Sequence, residues 1–181
     1  MHNDPVNLRD LWGLQCLTGS DKQDSREFTQ EDEDYLARTL YGEVRGESTN
    51  TKEAVAWTIR NRAEDKNRTI KEVVTQKWQY SCWNEDDPNF QAVTNPEEHS
   101  SQSVVDSKAW DECKKVAAEV LAAPKEEDIT KGATHYYDDS ISPPNWTIPE
   151  NEPNAKEVDV SNTSDSIHFY TGVRYSVPKK N

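Results

Sequence analysis

The sequence has no long apolar run and no regular pattern of cysteines. No segment approaches the ~20 consecutive apolar residues that a membrane-spanning helix needs, so membrane insertion is not expected. The N-terminus, MHNDPVNLRDLWGLQCL, lacks a basic start and an uninterrupted apolar core, which argues against a secretory signal peptide. The three cysteines, Cys16, Cys82 and Cys113, show no CxxC spacing. We therefore expect packed thiols rather than a disulfide framework.

Basic residues are also scarce. The 21 lysines and arginines stand against 34 aspartates and glutamates, which gives a formal charge of −13. This excess of acid argues against nucleic acid and anionic membranes as partners, because both require a basic patch. Only 33% of the residues are hydrophobic, yet six tryptophans and seven tyrosines argue against disorder. A chain of 181 residues favours one domain, here with a modest core and long polar loops.

Local signals predict where the first helices begin. Thr29 and Asp32 have the spacing of a capping pair, and the acidic run 31–34 is interpreted as a solvated helix start without a function. This first helix is expected to end near Gly46. Asn50 and Glu53 predict the start of a second helix.

A short third helix is expected after Thr69, and the fourth helix, over about 105–122, has the clearest period. Pro124 ends it. Its expected buried face comprises Val105, Ala109, Cys113, Val116, Ala117, Val120 and Leu121. The segment 84–104 carries two prolines and many carboxylates without a lasting period, and we expect a loop there.

The pattern changes after the fourth helix. GATHYYDD and SIHFYTGVRY are short, aromatic and β-branched, which predicts two strands joined by a long proline-rich loop. The expected fold class is α+β, mainly α, with a small C-terminal β element. Residues 1–28 are interpreted as an N-terminal extension, 29–178 as the main domain and 179–181 as a tail.

The apolar stripe of the first helix leads to a glutamate. Leu36 and Leu40 share one face, and the next positions on that face are Glu43 and Val44. A buried charge costs several kcal/mol unless it is paired. One interpretation is therefore an ion pair with a nearby arginine, for which the candidates are Arg38, Arg45, Arg60 and Arg62.

The other interpretation of Glu43 is catalytic. A carboxyl kept protonated by apolar surroundings can donate its proton to a leaving group, as the cleavage of a glycosidic bond requires. Gly42 and Gly46 flank the glutamate and would let a sugar approach the helix end. The spacing of the residues does not decide between the two interpretations.

Several motifs, in order, resemble a known family. LARTLYGEVRGE, EAVAWTIRNR, TIKEVVTQKWQYSCWNEDDPN, GATHYYDD and IHFY together are similar to the SleB-type cell wall hydrolases, over about residues 35–170. The resemblance implies a lysozyme-like fold and a lytic transglycosylase or muramidase. Such an enzyme cleaves between N-acetylmuramic acid and N-acetylglucosamine, takes peptidoglycan glycan strands as its partner, and is expected to need no metal or cofactor.

The resemblance also implies roles for single residues. Glu43 matches the catalytic first glutamate of the E-x-R-G-E motif. The expected substrate-binding residues are Glu47, Gln79, Tyr80, Ser81, Trp83, Tyr136, Tyr137 and Trp146. Among them, Ser81, Gln79 and Tyr136 would hold the carboxyl or the N-acetyl groups. The rings of Trp83, Tyr137 and Trp146 would face sugar rings. Core packing for the aromatic residues, turn formation for Ser81 and Gln79, and structural pairing for Asn61 and Arg62 stay open as alternatives.

A single catalytic carboxyl, that of Glu43, is sufficient for a lytic transglycosylase. The C6 hydroxyl of muramic acid is already tethered to the ring, so it can replace a captured water as nucleophile and leave a 1,6-anhydro sugar. A hydrolytic muramidase is the nearest alternative. A metal-dependent wall amidase would need clustered ligands, but the four histidines lie far apart and no HExxH motif is present.

A non-catalytic virion or wall-binding protein is a third class. Without a signal peptide, we expect synthesis in the cytoplasm and delivery to the wall by cell lysis, by holin release or as part of a virion. In the virion case, residues 1–28 would attach the protein to a tail or another partner.

Overall fold

The computed structural model describes residues 27–77 and 79–174. Its helices are α1 Gln30–Val44, α2 Thr49–Lys66, α3 Ile70–Val74, α4 Phe90–Thr94, α5 Pro96–Ser100 and α6 Val104–Ala122. Short 3₁₀ turns span Ser81–Trp83, Lys125–Glu127 and Asn145–Thr147, and the strands are β1 His135–Asp138, β2 Lys156–Val158 and β3 Ile167–Thr171. No helix within the described residues is long and apolar enough to cross a membrane. Most of the expected N-terminal extension and the C-terminal tail lie outside the described residues.

A mainly helical body with a small C-terminal sheet confirms the expected fold class. The sheet is antiparallel in the order β1-β3-β2. Tyr136 pairs with Phe169, and Tyr137 pairs with His168. His135 lies opposite Tyr170, and therefore His135 and His168 are not paired with each other across the two strands.

The start of α1 confirms the predicted capping pair and corrects the interpretation of the acidic run. Thr29 accepts a hydrogen bond from the Asp32 amide, and the Asp32 carboxylate accepts from Thr29 N at 3.0 Å. Asp32 is only 2% exposed and also accepts from Ile70 N at 2.7 Å. Asp32 is therefore not a solvated charge, because it joins the first turn of α1 to the first turn of α3.

Of the predicted starts of α2 and α3, that of α3 is confirmed and that of α2 is wrong. Thr69 caps α3 together with Glu72, as expected. The start of α2 was placed wrongly at Asn50, because Ser48 is the N-cap and accepts from Thr51 N at 3.2 Å. Serine is as good an N-cap as asparagine, so two candidates this close cannot be separated by residue type.

The segment expected to be a loop contains two short helices, α4 and α5. Pro96 begins α5 at a position where a missing N–H costs nothing. Tertiary contacts hold this segment: His99 Nδ1 lies 2.9 Å from Tyr41 Oη, and Trp110 Nε1 donates to Glu97 Oε1 at 2.8 Å. These partners lie far along the chain, so the periodicity of the segment itself carried no signal.

Helix α6 matches its predicted span, and most of its buried face is correct. Cys113, Val116, Ala117 and Val120 are buried against α1 and α2. Val105 was wrongly placed on this face, because it is 76% exposed. The buried aromatic of α6 is Trp110, which packs beside Tyr41.

The long loop before β3 also contains an unpredicted strand. Residues 156–158 form β2, whose burial is slight and whose three residues are too few for an alternating pattern to show. The expectation for the cysteines holds where the structure describes them: Cys82 and Cys113 are free and buried. Cys16 lies outside the described residues.

The core lies where α1, α2 and α6 meet. Leu36, Leu40, Val55, Trp57 and Ile59 are at most 1% exposed there. Burying a side chain of this size stabilises the fold by about 1.5–3 kcal/mol. This core fixes the direction of α1 and therefore the position of its last turn, which carries Glu43.

Candidate active site

An open cleft of about 890 Å³ runs beside the end of α1. Its walls come from the last turns of α2, the turn 79–81, strand β1 and the loop 144–146. Ligand sites in proteins typically measure ~300–1,000 Å³, so the cleft has room for more than a single sugar ring. A smaller hollow of about 510 Å³ lies between α2 and α6, away from Glu43.

Glu43 lies in the cleft and is half-buried. Its Oε1 accepts a hydrogen bond from the backbone N–H of Cys82 at 3.1 Å. Its Oε2 lies 3.5 Å from the hydroxyl of Tyr136, which donates to it. Two donors from different elements therefore orient a carboxyl whose third side faces the cleft.

Gly42 makes this arrangement sterically feasible. A Cβ at this position would clash with Val93 Cγ1 and would lie 2.7 Å from Cys82 Cβ. The missing side chain lets the turn that carries Cys82 pack directly on α1. The expectation that Gly42 leaves room for a sugar is wrong, because protein atoms fill that room; next to Gly46 the space is open.

The arginines proposed as ion-pair partners of Glu43 contact other groups. Arg38 pairs with Asp34 at 2.8 Å, and Arg60 pairs with Glu64 at 2.8 Å. Arg45 donates to Asn89 at 2.8 Å and lies 3.8 Å from Asp106. Arg62 donates to His135 Nε2 at 2.8 Å. Among the ion pairs of residues 27–77 and 79–174, none includes Glu43.

Tyr136 is suited to remain a donor to Glu43. The pKa of Tyr136 is raised well above its ordinary value. Burial of the hydroxyl is the larger cause, and the nearby Glu43 carboxylate adds to it. Its ring packs between Tyr80 and Phe169, at centroid distances of 6.5 and 6.2 Å. The phenol is therefore held in place by neighbours on both sides.

Helix α2 fixes the position of β1. The Asn61 side chain donates to Ala133 O at 2.9 Å and to Asp128 Oδ2 at 2.8 Å, just before the strand begins. Arg62 donates to His135, the first strand residue. Because an arginine side chain can only donate, His135 Nε2 is the acceptor of this hydrogen bond. Burial of the imidazole, and then the positive charges of Arg62 and Lys66, lower the pKa of His135 to about 3. The structural pairing considered for Asn61 and Arg62 is confirmed.

Aromatic rings form a group at the far side of the cleft. Trp146 lies 5.2 Å from His135, 6.0 Å from Tyr137 and 5.3 Å from Tyr170, measured between ring centroids. Tyr137 and Trp146 line the cleft, as expected for rings that face sugars. Tyr170 was missed as a site residue, although it lies in the segment SIHFYTGVRY that was predicted as a strand, and its ring packs against Trp146.

A second carboxylate, Asp138, also lines the cleft. Its Oδ1 accepts from Ser140 N at 2.8 Å, and its Oδ2 accepts from Ser166 Oγ at 2.8 Å. The hydrogen bonds from Ser140 hold the pKa of Asp138 below its usual value. Asp138 is thus engaged in joining the end of β1 to the start of β3.

The cleft brings together most of the predicted substrate-binding residues. Gln79, Tyr80, Ser81, Tyr136, Tyr137 and Trp146 line it together with Glu43. Trp83 lies outside this lining, because its indole stacks on Tyr35 and donates to Thr39 Oγ1 at 3.0 Å. Glu47 also lies outside the lining, and its backbone oxygen accepts from Lys52 Nζ at 2.7 Å.

The lining also contains basic residues that the sequence patterns did not single out as a group. Arg62, Lys66, Arg68 and Lys77 face the same cleft. They lie on a helix end and in two loops, so no single motif joins them. Among the described residues, no group of three or more His, Cys, Asp or Glu side chains is arranged as metal ligands would be.

Comparison with known proteins shows the family to which the chain belongs. Residues 46–170 match the family model described as Cell Wall Hydrolase. Searches of curated proteins and of solved structures give no significant match. The matched segment includes the turn 79–81, β1 and most of the cleft lining, whereas Glu43 lies just before it. The chain belongs to the cell wall hydrolase family, and peptidoglycan is the substrate consistent with that membership.

Proposed function

We propose that this protein is a lytic transglycosylase that cleaves the β-1,4 bond between N-acetylmuramic acid and N-acetylglucosamine, with Glu43 as its general acid and base. The observation that carries the proposal is the position of Glu43 in the cleft, between the Cys82 N–H and the Tyr136 hydroxyl. A carboxyl oriented by two fixed donors points in one direction, which general acid catalysis requires.

The proposed reaction has two proton transfers. Protonated Glu43 first gives its proton to the glycosidic oxygen, and the bond from that oxygen to C1 of the muramic acid breaks. The carboxylate that remains takes the proton from the C6 hydroxyl as O6 bonds to C1. The products are a glycan chain ending in 1,6-anhydro-muramic acid and a chain with a free N-acetylglucosamine hydroxyl, without consumption of water.

The state of Asp138 favours this mechanism over a hydrolytic muramidase. Two-carboxylate glycosidases need a second Asp or Glu that acts as base or nucleophile. The carboxylates that line the described part of the cleft are Glu43 and Asp138, and both oxygens of Asp138 already accept hydrogen bonds from the protein. An intramolecular nucleophile removes the need for a second catalytic carboxylate.

The aromatic group supplies the binding part of the proposal. Tyr137 and Trp146 present ring surfaces to the cleft, and the apolar faces of sugar rings pack well against such surfaces. Gln79 and Ser81 lie in the turn next to Cys82 and offer polar groups for N-acetyl substituents. A glycan strand bound here would pass directly over the end of α1.

The test compares two matched glutamine variants on purified sacculi. Glu43→Gln cannot donate the proton, and we expect its rate of glycan release to fall at least about a thousandfold, within the range for removal of a catalytic acid. Glu33→Gln makes the same change at an exposed position of the same helix, and its rate should equal that of the wild type. A Glu43→Gln protein with normal thermal stability and wild-type activity would refute the proposal.

A further inference from the structure

A histidine of the central strand lies between two carboxylates from either side of the sheet. On β3, His168 Nδ1 lies 2.7 Å from Glu157 Oε1 of β2, and His168 Nε2 lies 3.1 Å from Asp139 Oδ1, just after β1. A neutral imidazole has only one N–H, so the ring can donate to both carboxylates only when both nitrogens are protonated. Protonated His168 therefore ties both neighbouring strands to β3.

The imidazole of His168 also supports a ring of the cleft. Tyr137 is its direct partner in the pairing of β1 with β3, and the two rings stack with centroids 5.0 Å apart and planes 21° apart. Tyr137 lines the cleft and meets Trp146, another lining residue, in a T-shaped contact. A cationic ring is attracted to the face of a tyrosine, and this attraction is lost with the proton. The charge of His168 therefore acts directly on a ring that faces the cleft.

The groups that face His168 explain which proton changes with pH. The hydrogen bond to Glu157, assisted by that to Asp139, raises the pKa of His168 above its ordinary value of 6.5. Hydrogen bonds from a neighbouring serine hold the pKa of Asp138 below its usual value. Burial raises the pKa of Tyr170, whose hydroxyl donates to Glu157, to about 12. Asp138 and Tyr170 therefore keep their charge states between about pH 5 and about pH 9, whereas an imidazole loses its proton in this range.

We propose that protonated His168 positions Tyr137 as a sugar-binding ring, so that the cleft binds glycan more tightly at low pH than at high pH. This inference rests on the proposed function, because it takes the cleft as the glycan site. His168 is a positioning residue that acts through Tyr137. When the proton leaves, one ring nitrogen faces a carboxylate without a hydrogen between them, and two such acceptors repel each other. The imidazole can then no longer stay in place between both carboxylates.

The effect should fall on binding rather than on proton transfer. Successive side chains of a strand point to opposite faces, so Tyr136 and Tyr137 lie on different faces of β1. Tyr136 donates to Glu43, whereas Tyr137 stacks on His168. Loss of the His168 proton therefore weakens the support of the sugar and leaves the hydrogen bonds of Glu43 unchanged.

The test measures the binding of a sugar that has no ionisable group. The probe is the tetramer of N-acetylglucosamine, and calorimetry is performed on the full chain with Glu43→Gln, so that neither the ligand nor residue 43 titrates. We expect Kd to rise about two- to fivefold from about pH 5 to about pH 9, which corresponds to one cation–π contact at an exposed site.

Two substitutions in this background separate the charge of His168 from its shape. Arginine is planar, stays charged and donates in several directions, so His168→Arg should keep Kd near the low-pH value at both pH values. His168→Gln is neutral and should give the higher Kd at both. A merely structural role of His168 would make both substitutions weaken binding alike. His99→Gln is the matched control, because His99 contacts Tyr41 rather than Tyr137, and it should retain the pH dependence.

The outcomes distinguish this inference from the proposed function. A Kd that is equal at both pH values, or one that still depends on pH in the His168→Arg protein, would overturn the inference. A protein that binds no tetramer at either pH would overturn it as well, because no sugar would then rest on Tyr137. If the wild type releases no glycan from sacculi, the proposed function fails, while a pH dependence that His168→Arg removes still supports the role of His168.

Discussion

Gly42→Ala should damage the site through the packing of one turn against one helix. The new Cβ would lie 2.7 Å from Cys82 Cβ, where ordinary contact begins at 3.4 Å, and it would also clash with Val93. The turn would have to move away from α1 by about 0.7 Å, the difference between those two distances. The bond from Cys82 N to Glu43, now 3.1 Å, would then exceed the ~3.5 Å limit of a useful hydrogen bond.

The magnitudes follow from two opposing effects. Alanine in place of glycine favours a helix by about 1 kcal/mol, whereas overpacking a tight contact costs about 1–3 kcal/mol. The net loss of up to about 2 kcal/mol should lower Tm by up to about 8 °C. Loss of a hydrogen bond to a charged group, worth about 1.5–3 kcal/mol, should lower kcat by about 10- to 100-fold.

Gly46→Ala is the matched control for this substitution. No atom lies within 4 Å of a Cβ at position 46, so both Tm and kcat should stay close to the wild type. Calorimetry and a sacculus-release assay on the purified variants measure the two quantities. A Gly42→Ala protein with wild-type kcat would show that the contact between Cys82 and Glu43 does not position the acid.

Two further substitutions test single groups. Tyr136→Phe removes the hydroxyl 3.5 Å from Glu43 and should lower kcat about tenfold with little change in KM. Tyr137→Phe, on the same strand, is the control and should retain kcat. Equal effects of the two substitutions on kcat would contradict the role assigned to Tyr136. Hydrogen bonds to Glu157 and Asp139 raise the pKa of His168 above 6.5, so its stabilising effect is present below that pH and is lost as the pH rises through the raised value. His168→Gln should therefore lower Tm slightly at about pH 5 and not at about pH 9, and a pH-independent difference would refute this linkage.

Features encoded by neighbouring residues were predictable from the sequence. The caps at Thr29 and Thr69 depend on a side chain three positions away, and the structure confirms both. The long period of α6 was strong enough to give its span. Only tertiary contacts reveal the burial of Asp32, because its third partner, Ile70 N, lies in another helix.

In the candidate site, too, some features were predictable from the sequence and others depend on contacts between distant segments. Glu43 stood out because it interrupts an apolar stripe, and the structure places it in the cleft. The donors that orient it come from segments far along the chain, and the Cys82 donor is a backbone N–H that no side-chain pattern marks. Trp83 shows the opposite case, since its motif suggested a sugar contact but its indole packs against α1.

The group of basic residues that lines the cleft was not predictable from the sequence. Arg62 and Lys66 are one turn apart on α2, but Lys77 joins them only because α3 returns the chain to the end of α2. The net charge of −13 pointed away from any basic surface. Composition averages over the chain and cannot show where opposite charges segregate.

The central claim is that Glu43 protonates the glycosidic oxygen while the substrate's own C6 hydroxyl, rather than water, attacks C1. Digestion of purified sacculi in ¹⁸O-labelled water, followed by mass spectrometry of the new muramic acid ends, tests it directly. The account predicts anhydro ends that are one water lighter than hydrolysed ends and carry no ¹⁸O. Reducing muramic acid ends labelled with ¹⁸O would contradict it and identify a hydrolase.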